Sequence, residues 1–153
     1  MEPEGELIFG ATMQPGITYG KRILVVEDEP GVRETLKMLL QLDGHKVVTA
    51  RDGMEACHRY TPGDFDLVIT DYSMPEMKGD ELARTIKCLV PSQPILMLTA
   101  YAAELSNADN PVDAVLEKPF TIEALRRMIG LLSHSNQPAA VVQPDGGLHV
   151  VHP

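Results

Sequence analysis

Phe65-Asp66-Leu67-Val68-Ile69-Thr70-Asp71 is an apolar run that ends in an acid, and Tyr72-Ser73-Met74-Pro75 follows it. A run of this length, bounded by Gly63 and Pro75, reads as a buried strand. Asp71 then stands at the strand's carboxyl end, where open α/β sheets place their ligands. Three more runs end in polar chemistry. Ile23 to Val26 leads into Glu27-Asp28-Glu29, Ile95 to Leu98 into Thr99, and Ala114 to Glu117 into Lys118-Pro119.

Strand and helix patterns alternate outward from these runs. Pro30 suits an early helix position, and Val32, Leu36, Leu39 and Leu40 recur at helical spacing until Asp43-Gly44. His45 to Ala50 reads as a strand, Asp52-Gly53 as a turn, and Met54 to Tyr60 as a short helix. A helix from Gly79 carries Leu82, Ile86 and Leu89 and stops at Pro91. The last helix starts at Thr121, an N-cap residue, and carries Ile122, Leu125, Met128, Ile129 and Leu132. The repetition predicts a doubly wound, five-stranded parallel sheet with helices on both faces. Ala100 to Asp113 is the exception. Asn107, Asp109, Asn110 and Pro111 disfavour helix there, so the fourth helix is expected to be short or irregular, around Ala102 to Asn107.

Three segments are expected: a glycine-rich, flexible N-terminal arm over 1–20, a compact domain over 21–132, and a C-terminal tail over 133–153. In the tail, Ala139 to Val142 and Leu148 to Val151 flank Pro144-Asp145-Gly146-Gly147, a turn signal. The tail is therefore either disordered or a hairpin.

The chain has 153 residues and a net charge of −9. That balance argues against a nucleic-acid surface, which needs clustered Lys and Arg, and against anionic lipid. Cys57 and Cys88 lack C-x-x-C spacing and read as free, reduced thiols. The acidic start is unlike a signal peptide, and no apolar stretch reaches membrane length. A cytoplasmic protein is expected.

Glu27, Asp28 and Asp71 would all be ionised in isolation. Two such charges ~4 Å apart repel by about 4 kcal/mol at an effective dielectric of 20. The cluster calls for a proton or a cation, and oxygen ligands at a wet site suit Mg²⁺ (or Mn²⁺). Asp28 and Asp71 are the expected direct ligands, with the Ser73 backbone carbonyl as a third and Glu27 acting through water. Asp71 can then attack phosphorus, because a carboxylate is competent to form an acyl phosphate. The Lys118 ammonium and the Thr99 hydroxyl suit the remaining phosphoryl oxygens. Taken singly, each residue has an ordinary explanation: a solvated turn, a helix cap, a surface lysine. Their joint occurrence at four strand ends favours the phosphoryl-transfer reading.

Ile23-Leu24-Val25-Val26-Glu27-Asp28-Glu29-Pro30, Asp71-Tyr72-Ser73-Met74-Pro75-Glu76-Met77-Lys78-Gly79, Thr99-Ala100 and Lys118-Pro119-Phe120 resemble the receiver domain of bacterial two-component response regulators. The resemblance covers about residues 21–132. It implies a flavodoxin-like sheet ordered 2-1-3-4-5. It also implies Asp71 as acceptor of a phosphoryl group from a histidine kinase or a histidine phosphotransfer protein, with Mg²⁺ at the acid cluster. Thr99, the Ala100 backbone N–H and Lys118 would stabilise the phosphate and switch, and Lys118-Pro119 would be cis. Such a protein is not an enzyme in the usual sense. It assists its own phosphorylation and dephosphorylation, and signals through an unidentified downstream protein or a phosphorelay, with homodimerisation open.

Three features depart from the family pattern. Glu27 stands where many members have Asp. Val115 occupies the position of a switch aromatic. The segment from Thr99 to Lys118 is short by about one helical turn, on the order of three to four residues. Ser73 and Tyr101 sit where dephosphorylation is tuned, and a bulky Tyr101 implies slow self-dephosphorylation. The competing readings are a Mg²⁺-dependent aspartate-nucleophile phosphohydrolase, which usually needs an acid where Ser73 stands, a receiver excised from a hybrid histidine kinase, and a pseudo-receiver used for assembly.

Overall fold

The computed structural model describes residues 7–8, 11–12, 20–105, 110–133, 139–142 and 148–151. The elements of the domain are β1 (Arg22–Val26), α1 (Pro30–Leu42), β2 (Lys46–Ala50), α2 (Gly53–Arg59), β3 (Leu67–Asp71), α3 (Gly79–Leu89), β4 (Ile95–Thr99), a 3₁₀ turn (Ala102–Leu105), β5 (Ala114–Glu117) and α4 (Ile122–Leu132). Two further strands follow, β6 (Ala139–Val142) and β7 (Leu148–Val151). Leu7–Ile8 and Ala11–Thr12 pair antiparallel as a separate two-stranded unit.

Local chemistry sets the helix starts. Glu29 caps α1 by accepting the Gly31 N–H at 3.3 Å, with Pro30 in the first turn. Asp52 accepts the Glu55 N–H at 2.7 Å. Asp52-Gly53 is therefore the beginning of α2 rather than a turn before it. Thr121 accepts the Ala124 N–H at 3.0 Å and starts α4. Gly44, with φ at 85°, ends α1 in the left-handed region that favours glycine.

The strands run in the order β2-β1-β3-β4-β5, all parallel, as predicted, but the sheet does not stop at five. β6 adds in parallel to β5, pairing Ala114 with Ala140 and Leu116 with Val142, and β7 pairs antiparallel to β6. The described parts of the tail thus form paired strands that extend the sheet edge. The connecting residues 143–147, where the turn signal was read, lie outside the described residues. So do residues 106–109, which include the end of the short helix expected around Ala102 to Asn107; its beginning is the 3₁₀ turn.

Successive strand side chains point to opposite faces. Leu24, Val26, Val68, Met97 and Val115 pack beneath α2 and α3, with Leu82, Ala83 and Ile86. Ile23, Val25, Ile69, Leu96, Leu98 and Leu116 pack beneath α1 and α4, with Leu36, Leu40, Leu125, Met128 and Ile129. Three residues expected in helical register lie outside these cores, one of them the half-buried Leu39 of α1. Leu89 is the last residue of α3 and is exposed, and Val32 is exposed near the start of α1. At the end opposite the acid cluster, Arg126 of α4 grips Asp43 through two hydrogen bonds, at 2.8 and 2.9 Å, and ties α4 to the end of α1.

Candidate functional site

Asp71 ends β3, between β1 and β4, and is almost buried. The register aligns Asp71 with Leu98, so Thr99 stands one residue further along the neighbouring strand. Thr99 in turn pairs with Glu117, which brings Lys118 to the same end of the sheet. Lys118 Nζ lies 2.7 Å from Asp71 Oδ1 and 3.7 Å from Glu27 Oε1. The Lys118 N–H donates to the Thr99 carbonyl at 2.8 Å, and the Lys118-Pro119 peptide is cis.

Glu27 follows β1 and is 2% exposed. Its N–H donates to the Ala50 carbonyl at 3.0 Å, which anchors the acid loop to the end of β2. Glu27 Oε2 accepts the Glu29 N–H at 3.1 Å. Glu27 Oε1 is buried and has no hydrogen-bond partner among the described residues. The 3.7 Å approach of Lys118 is an ion contact too long for a hydrogen bond. One oxygen each from Glu27, Asp28 and Asp71 lie within 4.8 Å of one another. A buried, unpartnered oxygen beside two more carboxylates is a donor set suited to a hard divalent cation.

Burial raises the Glu27 carboxyl to about 7, and the neighbouring Asp71 charge adds to the effect while the Glu29 N–H and Lys118 oppose it. Burial also pushes Asp71 upward, with Lys118 pulling it back. Burial disfavours the Lys118 charge, but the hydrogen bond and charge of Asp71 outweigh that, and its pKa is raised. The lysine thus stays charged and shares two carboxylates whose ionisation the protein alone does not favour.

Gly79 shapes the loop behind the acid. Its N–H donates to the Tyr72 carbonyl at 2.9 Å. A Cβ there would lie 2.3 Å from the Asp71 carbonyl oxygen and 3.0 Å from Tyr72 Cα. Within the same loop Glu76 adopts φ of 68°, a left-handed conformation uncommon for a residue other than glycine.

Thr99 is 2% exposed, and its Oγ1 accepts the Tyr101 N–H at 3.0 Å. Ala100 follows it at the exposed end of β4, and Ser73 is exposed beside Asp71. Val115 is buried within β5. Tyr101 is 57% exposed, so more than half of its surface faces water. Cys57 and Cys88 are free thiols on α2 and α3. Sequence reasoning missed Arg33, whose Nη1 donates to the carbonyls of Glu27, at 2.9 Å, and Asp28, at 3.4 Å. The signal was an arginine one helical turn after Glu29, within reach of the loop before its own helix.

A doubly wound parallel sheet with an acid, a hydroxyl and a lysine converging at its carboxyl edge defines a receiver-type signalling domain. The chain belongs to the response regulator receiver domain family, which residues 23–130 match. It is similar to the transcriptional regulatory protein TcrA of Mycobacterium tuberculosis, at 36% identity over 77% of this chain and 48% of that protein. It is also similar to the response regulator MprA of Mycolicibacterium vanbaalenii, at 38% identity over 82% of this chain and 53% of that protein. The chain spans about half the length of these curated relatives. Among solved structures, the response regulator TrrA of Thermotoga maritima, in complex with Mg²⁺-BeF, is 39% identical with a TM-score of 0.68. That match covers 73% of this chain and 98% of TrrA. Among the described residues, no helix is long and apolar enough to cross a membrane.

Proposed function

We propose that Asp71 is the phosphoacceptor, and that the chain takes a phosphoryl group from a phosphohistidine on a histidine kinase or a phosphotransfer protein. The observation that carries this reading is the 2.7 Å contact of Lys118 with Asp71, beside a buried Glu27 oxygen that lacks a hydrogen bond. A carboxylate oxygen of Asp71 forms the new O–P bond as the donor's N–P bond breaks, and the electron pair leaves on the imidazole nitrogen. Lys118 holds Asp71 Oδ1, which orients the carboxylate and places positive charge where phosphoryl oxygens arrive. The Thr99 hydroxyl and the Ala100 N–H are the donors for a further oxygen.

Glu27, Asp28, Asp71 and the Ser73 carbonyl are the residues that would hold Mg²⁺ or Mn²⁺. Such a cation supplies charge that offsets the carboxylates and the incoming phosphoryl oxygens. Without turnover of an outside substrate, the domain assists only its own modification and its reversal. Ser73 and Tyr101 flank the route of an attacking water and set the lifetime of the phosphoprotein.

The donor reaches Asp71 from the carboxyl ends of the strands. An apolar groove of about 570 Å³ opens beside the acid loop, lined by Val32, Leu36, Leu39, Phe120 and Ile122 with Glu29 at its rim. It accounts for the exposed Val32 and offers a partner protein apolar contact. Output passes by protein contact or by onward transfer of the phosphoryl group.

The test is incubation with acetyl phosphate and Mg²⁺, read by intact mass. A single phosphoryl addition that disappears in Asp71→Asn is expected. Absence of any adduct, or steady hydrolysis of a phosphomonoester, would overturn the assignment.

A further inference from the structure

Arg33 has no part in the phosphoryl chemistry, yet it is fastened to the loop that carries two of the acids. It lies on the first turns of α1, and its own N–H donates to the Glu29 carbonyl at 2.9 Å. Its side chain folds back over the acid loop. Nη1 donates to the Glu27 carbonyl at 2.9 Å and to the Asp28 carbonyl at 3.4 Å. These two carbonyls precede the helix, so the α1 ladder gives them no N–H partner. Arg33 therefore supplies a charged donor to the main chain of both acids that stand beside Asp71.

The loop is held from three directions. The Glu27 N–H is tied to Ala50, its carboxylate accepts the Glu29 N–H, and its carbonyl accepts Arg33. The main chain of Asp28 is held through its carbonyl by the same guanidinium, so its placement follows that side chain. The two cations engage different groups: Lys118 approaches the Glu27 and Asp71 carboxylates, and Arg33 donates to the Glu27 and Asp28 carbonyls.

We infer that Arg33 is a positioning residue, which aims the Glu27 and Asp28 carboxylates at Asp71 by clamping their backbone carbonyls and so sets the affinity of the acid cluster for a divalent cation. The inference rests on the reading of that cluster as a cation site. Both bonds come from Nη1, and the planar guanidinium fixes the directions of that nitrogen's two N–H groups, whereas an ammonium is a point donor on a flexible stem. Groups that orient metal ligands without touching the metal commonly change affinity by about 10–100-fold.

The test uses the full chain and Mn²⁺ as the probe. Paramagnetic broadening of the Asp28, Asp71 and Tyr72 amide signals is followed by NMR as Mn²⁺ is added. In Arg33→Met the half-saturating concentration is expected to rise about tenfold. In Arg33→Lys, which keeps the charge and one donor, it rises by an intermediate factor. Phosphorylation by acetyl phosphate then requires more Mg²⁺ for half-maximal rate, while the rate at saturating Mg²⁺ stays within about twofold of the parent. A half-saturating concentration unchanged in both variants overturns the inference, as does a saturating rate that collapses in a folded variant. If Arg33→Met does not fold, Arg33→Lys decides alone by the same shift. Failure of the parent chain to bind Mn²⁺ at the cluster would instead overturn the underlying reading.

Discussion

Replacing Lys118 with methionine keeps most of the length of the side chain and removes its charge. At 2.7 Å and an effective dielectric of 20, the attraction between Lys118 and Asp71 is about 6 kcal/mol. Desolvation of both groups offsets part of it, and loss of one member of a buried pair costs about 3–5 kcal/mol. Glu27 and Asp71, 2% and 6% exposed, then face each other without the cation that pairs with both. The cluster responds by binding a proton. Glu27 already has a carboxyl raised from 4.5 to about 7, and the variant moves it higher. A carboxyl raised in the folded state contributes stability that is present below the unfolded value. That contribution is lost as pH rises through the folded value. The parent therefore loses stability from Glu27 between about pH 4.5 and pH 7, and Lys118→Met goes on losing it above pH 7. Urea denaturation of metal-free protein at pH 5.5 and pH 8 measures this directly. The variant is expected to be less stable by about 3 kcal/mol at pH 8, with a much smaller deficit at pH 5.5. An equal deficit at both values would refute the electrostatic account and leave only lost packing.

A cation must displace the proton from Glu27, so Mg²⁺ affinity is expected to rise with pH through about 7, and a calorimetric titration giving the same affinity at pH 6 and pH 8 would contradict this. Gly79→Ala puts a Cβ 2.3 Å from the Asp71 carbonyl oxygen, and we expect a loss of about 3 kcal/mol in urea denaturation, the upper part of the overpacking range, together with slower phosphorylation by acetyl phosphate. Val141→Pro removes a donor from β6, which lies between β5 and β7. Uncovering the β5 edge should then promote self-association, read by sedimentation velocity as concentration-dependent growth absent from the parent. Tyr101→Ala should shorten the lifetime of the phosphoprotein, followed by loss of the added mass after removal of acetyl phosphate. An unchanged or longer lifetime would show that the ring does not shield the phosphoryl group.

Much of the fold was legible in the sequence because burial writes itself into local patterns. The continuous apolar runs at Ile23–Val26, Leu67–Ile69 and Ile95–Leu98 are what strands covered on both faces require. Thr121 and Pro30 marked helix starts through chemistry confined to a few neighbouring residues. The acid, hydroxyl and lysine at four strand ends were readable for the same reason, since parallel strands deliver their carboxyl ends to one edge. Long-range geometry was not readable. Nothing local distinguishes a free hairpin at 139–151 from strands that extend β5, because the pairing partner lies over twenty residues away. Leu89 and Val32 fit helical spacing but sit where the core no longer reaches.

The sequence alone determined the alternation of elements, the sheet class and the identity of the converging residues, because periodicity and turn chemistry act over a few residues. Only the tertiary structure decided that Lys118 meets Asp71 at 2.7 Å, that a Glu27 oxygen is buried without a hydrogen bond, and that Arg33 grips the carbonyls of both acids. The first two depend on strand register and side-chain direction across the sheet, which arise from packing of distant segments rather than from any stretch of sequence by itself, whereas the Arg33 contacts are local and depend on which way a side chain in the first turns of α1 is directed.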